Sequence, residues 1–206
     1  MRRDFKSVLG MTVVVLLGLA SWAAPSNPPA PGNHQTSQDR IYFARIAPTR
    51  SGLFIADSDG SNERSLAASV SLDYNPSFSL DGSWIIFTSE REGPANIYRV
   101  HPDGSGLERL TDGRAFADQA AMAPGNKAVA FVSTRGNGRA NIWVLDLKTR
   151  RQRDLTHSQA GNFRPSWSPD GKWIAFTSDR DEPRLRSGFE LTHFTALYVM
   201  RPMEVP

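Results

Sequence analysis

Residues 164–180 read Arg-Pro-Ser-Trp-Ser-Pro-Asp-Gly-Lys-Trp-Ile-Ala-Phe-Thr-Ser-Asp-Arg, and variants of this stretch recur along the 206-residue chain. Residues 74–91 match residues 163–180 at 11 of 18 positions, and residues 118–135 match them at 6 of 18. One phenylalanine recurs at intervals of 44, 44 and 45 residues, at Phe43, Phe87, Phe131 and Phe176. A fixed period of this length indicates a repeat architecture.

Each copy predicts β-strands. Its apolar segments are short and end at turn residues, as strands do. The pairs Asp81-Gly82 and Asp170-Gly171 suit a hairpin whose glycine has a positive φ. One unit is then a four-stranded antiparallel meander, which at this period is typical of a β-propeller blade.

The strands of the repeat can be counted along the chain. Three, four, four and three strands are predicted in the blades at 41–66, 74–111, 118–156 and 165–200. The sequence therefore predicts an all-β fold, a partial β-propeller of about three and a half four-stranded antiparallel blades within residues 40–202. A divergent tail, 203–206, follows.

The N-terminal segment predicts export. Arg2, Arg3 and Lys6 precede thirteen uncharged residues, and Ala23 completes a small-residue cleavage site, so residues 1–23 are predicted to be a signal peptide. The two arginines also suit a twin-arginine signal, and the export route stays open. Residues 24–39 contain four prolines and predict a flexible tether. We expect a periplasmic or secreted protein, attached to the membrane only if the signal segment stays uncleaved.

The motif at 164–180 resembles the WD-like propeller repeat of the TolB family, and it is also similar to the propeller domains of prolyl-oligopeptidase-type peptidases. The resemblance covers about residues 40–202. It implies a periplasmic, non-enzymatic partner of envelope proteins and a six-bladed propeller. Met203-Glu204 stand where the repeat calls for Asp-Gly. We therefore expect a truncated copy of a longer propeller, with an intact short member of the family as the alternative.

Composition and motifs exclude several kinds of chemistry. The chain has no cysteine and four histidines, with neither a His-Glu-x-x-His nor a Gly-x-Ser-x-Gly motif. We therefore predict no catalytic constellation, no metal site and no cofactor.

Three of the 24 basic residues stand in the first six positions beside one acidic residue, which leaves 21 bases against 20 acids in the rest of the chain. Such a balance predicts no nucleic-acid partner.

An arginine recurs four residues after the blade phenylalanine, at Arg91, Arg135 and Arg180. It could point into the central channel and bind an anionic partner, or it could contact backbone carbonyls or an acidic group of the neighbouring blade and so tie blades together. Its presence in these three units favours the structural role. The predicted repeat-structural residues are Asp81, Gly82, Arg91, Arg135, Asp170, Gly171 and Arg180.

One loop breaks the repeat. The recurring arginine precedes the next strand's aromatic residue by 7 and 8 residues in two units, but by 18 residues between Arg180 and Tyr198. Insertions of this kind map to loops on one face of a propeller, often the binding face. The predicted binding residues are Arg184, Arg186, Phe189, His193 and Phe194.

These observations favour an exported, non-catalytic propeller module that binds protein partners of the envelope. The alternative is the propeller remnant of an exported peptidase or of a carbohydrate-active protein. An open arc of blades leaves strand edges unpaired, so self-association through these edges is also expected.

Overall fold

The computed structural model describes residues 40–47, 50–67, 69, 71–180 and 195–202. These residues form fourteen strands in four antiparallel sheets. Sheet 1 contains β1 (Arg40–Ala47), β2 (Arg50–Asp57) and β3 (Arg64–Ala67); sheet 2 contains β4 (Asp73–Phe78), β5 (Ile85–Ser89), β6 (Asn96–Val100) and β7 (Glu108–Arg109). Sheet 3 contains β8 (Ala117–Met122), β9 (Ala128–Ser133), β10 (Asn141–Asp146) and β11 (Gln152–Asp154); sheet 4 contains β12 (Asn162–Trp167), β13 (Ile174–Ser178) and β14 (Ala196–Met200).

Each sheet is a meander in which strands adjacent in sequence pair with each other. Phe43 of β1 is the repeat equivalent of Phe87 in β5, which is the second strand of sheet 2. The described part of sheet 1 thus comprises the outer three strands of a blade, and that of sheet 4 the inner three. The predicted fold class, a partial propeller of about three and a half blades, is confirmed.

The core lies between successive sheets. Neighbouring residues of a strand point to opposite faces, so Ile85 packs against sheet 1 while Ile86 packs against sheet 3. Likewise Val129 packs toward sheet 2 and Ala130 toward sheet 4. Both faces of sheets 2 and 3 are therefore buried, which is why their middle strands are continuously apolar rather than alternating. No helix in the described ranges is long and apolar enough to cross a membrane.

Candidate functional site

The innermost strands of sheets 2, 3 and 4 share an irregularity at one register position. Asn75, Gln119 and Arg164 have φ angles of 51°, 54° and 54°, although none is glycine. In each case the pairing with the next strand shifts by one residue beside them, which is the signature of a β-bulge. Positive φ costs a non-glycine residue free energy and persists where the surroundings hold it, often at functional sites.

The bulge residues connect each blade to the next. Asn75 Nδ2 donates a hydrogen bond to Asp118 Oδ1 at 2.8 Å, and the backbone N–H of Arg164 donates to Gln119 Oε1 at 2.8 Å. Arg164 is exposed at the last of the three positions. Because innermost strands surround the channel of a propeller, the three bulges place a row of polar side chains along the wall of the channel.

Asp118, next to the bulge residue Gln119, is buried. One carboxylate oxygen accepts hydrogen bonds from Thr88 Oγ1 at 2.7 Å, from Asn75 Nδ2 and from the Gln119 N–H at 2.6 Å. Thr88 and Asn75 belong to sheet 2, whereas Asp118 belongs to sheet 3. Asp118 therefore joins the two blades through this one oxygen.

Tyr74 lies close to Asp118. Its hydroxyl donates a hydrogen bond to Glu90 Oε1 at 3.1 Å. Burial raises the pKa of Tyr74, and the negative charges of Asp118 and Glu90 raise it further. The phenol therefore keeps its proton at neutral pH and acts there as a hydrogen-bond donor.

Arg91 lies inside its own blade. Its Nη2 contacts both oxygens of the buried Asp73, at 3.1 and 3.0 Å, and its Nε donates to Ser89 Oγ at 2.9 Å. The guanidinium also lies over the Phe87 and Tyr98 rings.

The other two recurring arginines make related contacts. Arg180 donates to Asn162 Oδ1 at 2.9 Å, with Asn162 at the position of Asp73. Arg135 pairs with Asp112, in the segment that joins sheet 2 to sheet 3. Arg91 and Arg180 thus contact their own blade, whereas the structural alternative placed the acidic partner in the neighbouring blade. The structural role of these arginines stays a prediction.

The predicted hairpin residues lie at the other end of these strands. Gly82 and Gly171 have φ angles of 70° and 71°, a conformation that glycine adopts without steric cost. Asp81 accepts hydrogen bonds from the hydroxyl of Ser79 at 2.7 Å and from the N–H of Ser83 at 3.1 Å. These bonds, the Ser79 bond above all, lower the pKa of Asp81 well below its usual range. The equivalent bonds from Ser168 and from the Lys172 N–H lower the pKa of Asp170.

The predicted binding residues Arg184, Arg186, Phe189, His193 and Phe194 lie outside the described residues. The described ranges contain no group of three or more His, Asp or Glu side chains arranged to hold a metal ion. The sequence did not lead us to the bulge residues Asn75, Gln119 and Arg164, although they recur at the repeat spacing of 44 and 45 residues. It also missed Asp118, which stands where the other two blades have Tyr74 and Phe163.

The repeated meanders, the inter-sheet core and the bulged inner strands define a β-propeller repeat protein. The family model described as the TolB beta propeller domain matches residues 30–137, which is about half of the chain. The chain belongs to this family.

Individual relatives agree with the family match. An uncharacterized protein of Agrobacterium fabrum is 32% identical over 135 residues, which cover 60% of this chain and 46% of that protein. The Tol-Pal system protein TolB of Francisella tularensis is 28% identical over 131 residues, covering 63% of this chain and 30% of that protein. The chain thus spans less than half the length of these curated relatives.

Among solved structures, TolB from Acinetobacter baumannii superposes with a TM-score of 0.67 at 24% identity. The match covers 79% of this chain and 39% of that one. At this identity the likeness shows a shared fold.

Proposed function

We propose that this protein is an exported, non-catalytic propeller module that binds protein partners in the cell envelope. The observation that carries the proposal is membership of the TolB propeller family, together with relatives that are Tol-Pal system proteins. The predicted signal segment, residues 1–23, supports an envelope location. The contacts of Asp118 and of the recurring arginines support a scaffold role for the polar residues of the blades.

Two surfaces are proposed for partner binding. One is the insertion at residues 182–194, selected on sequence grounds because it breaks the repeat. The other is the channel end of the inner strands, where the exposed Arg164 and the bulge residues Asn75 and Gln119 carry different side chains at equivalent positions. A surface that differs between blades can recognise one partner in one orientation.

Self-association is a further proposal. Leu197 and Val199 of β14 are 72% and 59% exposed. Leu197 corresponds to Ile97 in sheet 2 and to Ile142 in sheet 3, and both of these are fully buried against the next sheet. An exposed apolar strand of this kind favours association of the described arc with other chains.

Affinity capture from envelope extract tests partner binding. The purified chain, a deletion of residues 182–194 and an Arg164→Glu variant are immobilised at equal density, and bound proteins are identified by mass spectrometry. We expect the wild-type chain to retain a reproducible set of envelope proteins that at least one variant loses. Arg139→Glu, at an exposed arginine in the loop between β9 and β10, is the matched control for Arg164→Glu and should retain the set.

Two results would contradict the proposal, and a third would contradict the predicted cleavage of the signal segment. Capture of no envelope protein by the wild-type chain would remove the binding role. Turnover of peptide or oligosaccharide libraries by the purified chain would remove the non-catalytic part. An exported protein whose N-terminal sequence still begins at Met1 would show that the signal segment is not cleaved.

A further inference from the structure

A groove of about 460 Å³ runs between sheets 3 and 4, at the end of the blades where their first two strands are joined by hairpins. The β8–β9 turn contributes Pro124 and Lys127, and the β12–β13 turn contributes Gly171 and Lys172. Arg201, just after β14, completes one side.

The equivalent position between sheets 2 and 3 is bridged by side chains. Asn126, in the β8–β9 turn, donates its amide to Asp81 Oδ2 at 2.8 Å and to Ser83 Oγ at 3.1 Å across the two sheets. One repeat further on, Asp81 is replaced by Gly125 and Asn126 is replaced by Gly171. The groove between sheets 3 and 4 is open because both members of the bridge have lost their side chains.

The same comparison shows a change in charge. Lys127 stands where the preceding blade has Ser83, and Arg201 stands where it has Asp146. Neither cation is in a salt bridge with another described residue. The third cation, Lys172, lies 3.6 Å from Asp170, and both side chains are more than half exposed. The groove therefore carries an excess of positive charge.

Its walls are aromatic. Trp173, which is 39% exposed, lies under the Arg201 guanidinium at 4.8 Å from the ring centroid. Trp167 forms part of the lining and donates its indole N–H to Ala121 O at 3.1 Å. Guanidinium groups over indoles stay available for carboxylates at their edges.

We propose that this groove binds an extended acidic peptide segment of a partner protein, with its carboxylates on Lys127 and Arg201 and an aromatic or aliphatic side chain against Trp173. This inference rests on the proposed protein-binding function and names the chemistry of the partner. An anionic polysaccharide fits less well because the described lining contains no amide, hydroxyl or carboxylate side chain to bind sugar hydroxyls. An acidic peptide needs only cations and apolar surface.

Fluorescence anisotropy tests the groove directly. The probe is the fluorescein-labelled peptide Gly-Glu-Phe-Glu-Asp-Phe-Glu-Gly, and its neutral counterpart carries Gln and Asn in place of Glu and Asp. At about 50 mM salt, where charges are weakly screened, the acidic peptide should bind at least about tenfold more tightly than the neutral one, a difference of about 1.4 kcal/mol. Raising the salt to about 500 mM should weaken its binding.

Two variants locate the site. The double variant Lys127→Ser/Arg201→Ser should weaken binding at least about tenfold, whereas Arg139→Ser/Lys148→Ser, with the same charge change outside the groove, should change it by less than about twofold. The variant Gly171→Asn, at a φ of 71° close to the 57° of Asn126, places in the groove the side chain that Asn126 presents between sheets 2 and 3, and it should also weaken binding. Thermal melting of each variant checks that it is folded.

The proposal is overturned if both peptides bind equally, if the control variant loses as much affinity as the groove variant, or if the wild-type chain binds neither peptide. Displacement of the peptide by polygalacturonate at a lower carboxylate concentration would also overturn it, in favour of a polysaccharide. If envelope proteins are captured but the acidic peptide does not bind, the groove proposal fails and the proposed function stands. If no envelope protein is captured, the proposed function itself fails.

Discussion

Replacement of Asp118 by alanine should lower the free energy of unfolding by about 1–3 kcal/mol. Asp118 is 6% exposed, and its carboxylate accepts the Thr88 hydroxyl at 2.7 Å and the Asn75 amide at 2.8 Å from the neighbouring sheet. Alanine leaves the fully buried Thr88 hydroxyl without its acceptor, and a buried donor left unsatisfied costs about 1–3 kcal/mol. The amide of the exposed Asn75 can bind water instead, at a smaller cost. Release of a buried carboxylate from its desolvation cost offsets part of the loss.

The measurement is equilibrium unfolding in urea followed by tryptophan fluorescence. A double-mutant cycle with Thr88→Val isolates the contact between sheets 2 and 3, and we expect a coupling energy of at least about 1 kcal/mol. Asp103→Ala is the matched control, because Asp103 is an exposed turn aspartate that accepts a hydrogen bond from the Ser105 N–H at 2.8 Å. Asp103→Ala should lower the free energy of unfolding by less than Asp118→Ala does.

Two outcomes would refute this reasoning. If Asp118→Ala unfolds within about 0.5 kcal/mol of the wild-type chain, as ordinary surface substitutions do, the carboxylate does not hold the two sheets together. If the cycle gives no coupling with Thr88, the loss of stability has a different origin. A changed dependence on urea concentration would instead show that the sheets unfold separately, which is the behaviour expected of weakly coupled repeats.

Three further predictions concern the hairpins and β14. Since the pKa values of Asp81 and Asp170 are lowered in the folded protein, their ionised forms stabilise it above the unfolded value of about 3.9, and this contribution is lost as the pH falls through the folded values. As the pH falls from about 4 to about 2, the melting temperature of the wild-type chain should therefore approach that of Asp81→Asn/Asp170→Asn. A difference between the two melting temperatures that stays constant over this range would contradict the prediction. Gly82→Val should lower the free energy of unfolding by about 1–3 kcal/mol. The cause is backbone strain alone, because φ is 70° and a Cβ atom there meets no heavy atom within 4 Å. Gly82→Asn is the control, and an unchanged melting temperature of Gly82→Val would disprove the prediction. Light scattering should show association of the wild-type chain at concentrations on the order of 100 µM and less association for Leu197→Lys/Val199→Lys, and a monodisperse wild-type monomer would exclude the proposed contact.

The strand pattern could be predicted from the sequence because it is a local property. Four apolar residues that end at Phe87 or Phe176, followed by turn residues, suffice to place a buried strand and its hairpin. The bulges at Asn75 and Arg164 could not be predicted in the same way, because they depend on how two strands pair. The following residues, Pro76 and Pro165, gave a partial signal, since proline lacks the N–H that a regular ladder would use.

The partners of the recurring arginines show the same limit. Arg91 and Arg180 occupy equivalent positions, and the sequence left open whether they would face the channel or tie neighbouring blades together. The hairpin brings the residue 18 positions earlier beside each arginine, and that residue is Asp73 in one blade and Asn162 in the other. Only the paired register of the strands relates those positions.

The groove between sheets 3 and 4 follows from a difference between repeats that is visible in the sequence. Gly125-Asn126 closes a hairpin as Asp81-Gly82 does, but with a positive φ at both residues, whereas in the other turn only Gly82 has one. The two turns also differ in what they contact across the sheets. Asn126 reaches back to Asp81, whereas a Cβ atom on Gly171 in the next blade would meet only Pro124 within 4 Å. Swapping the order of glycine and the polar residue in one turn thus closes the groove on one side of sheet 3 and opens it on the other. A repeat protein can acquire a binding groove in this way without altering its strands, and the place to look for such a groove is the blade whose turn departs from the others.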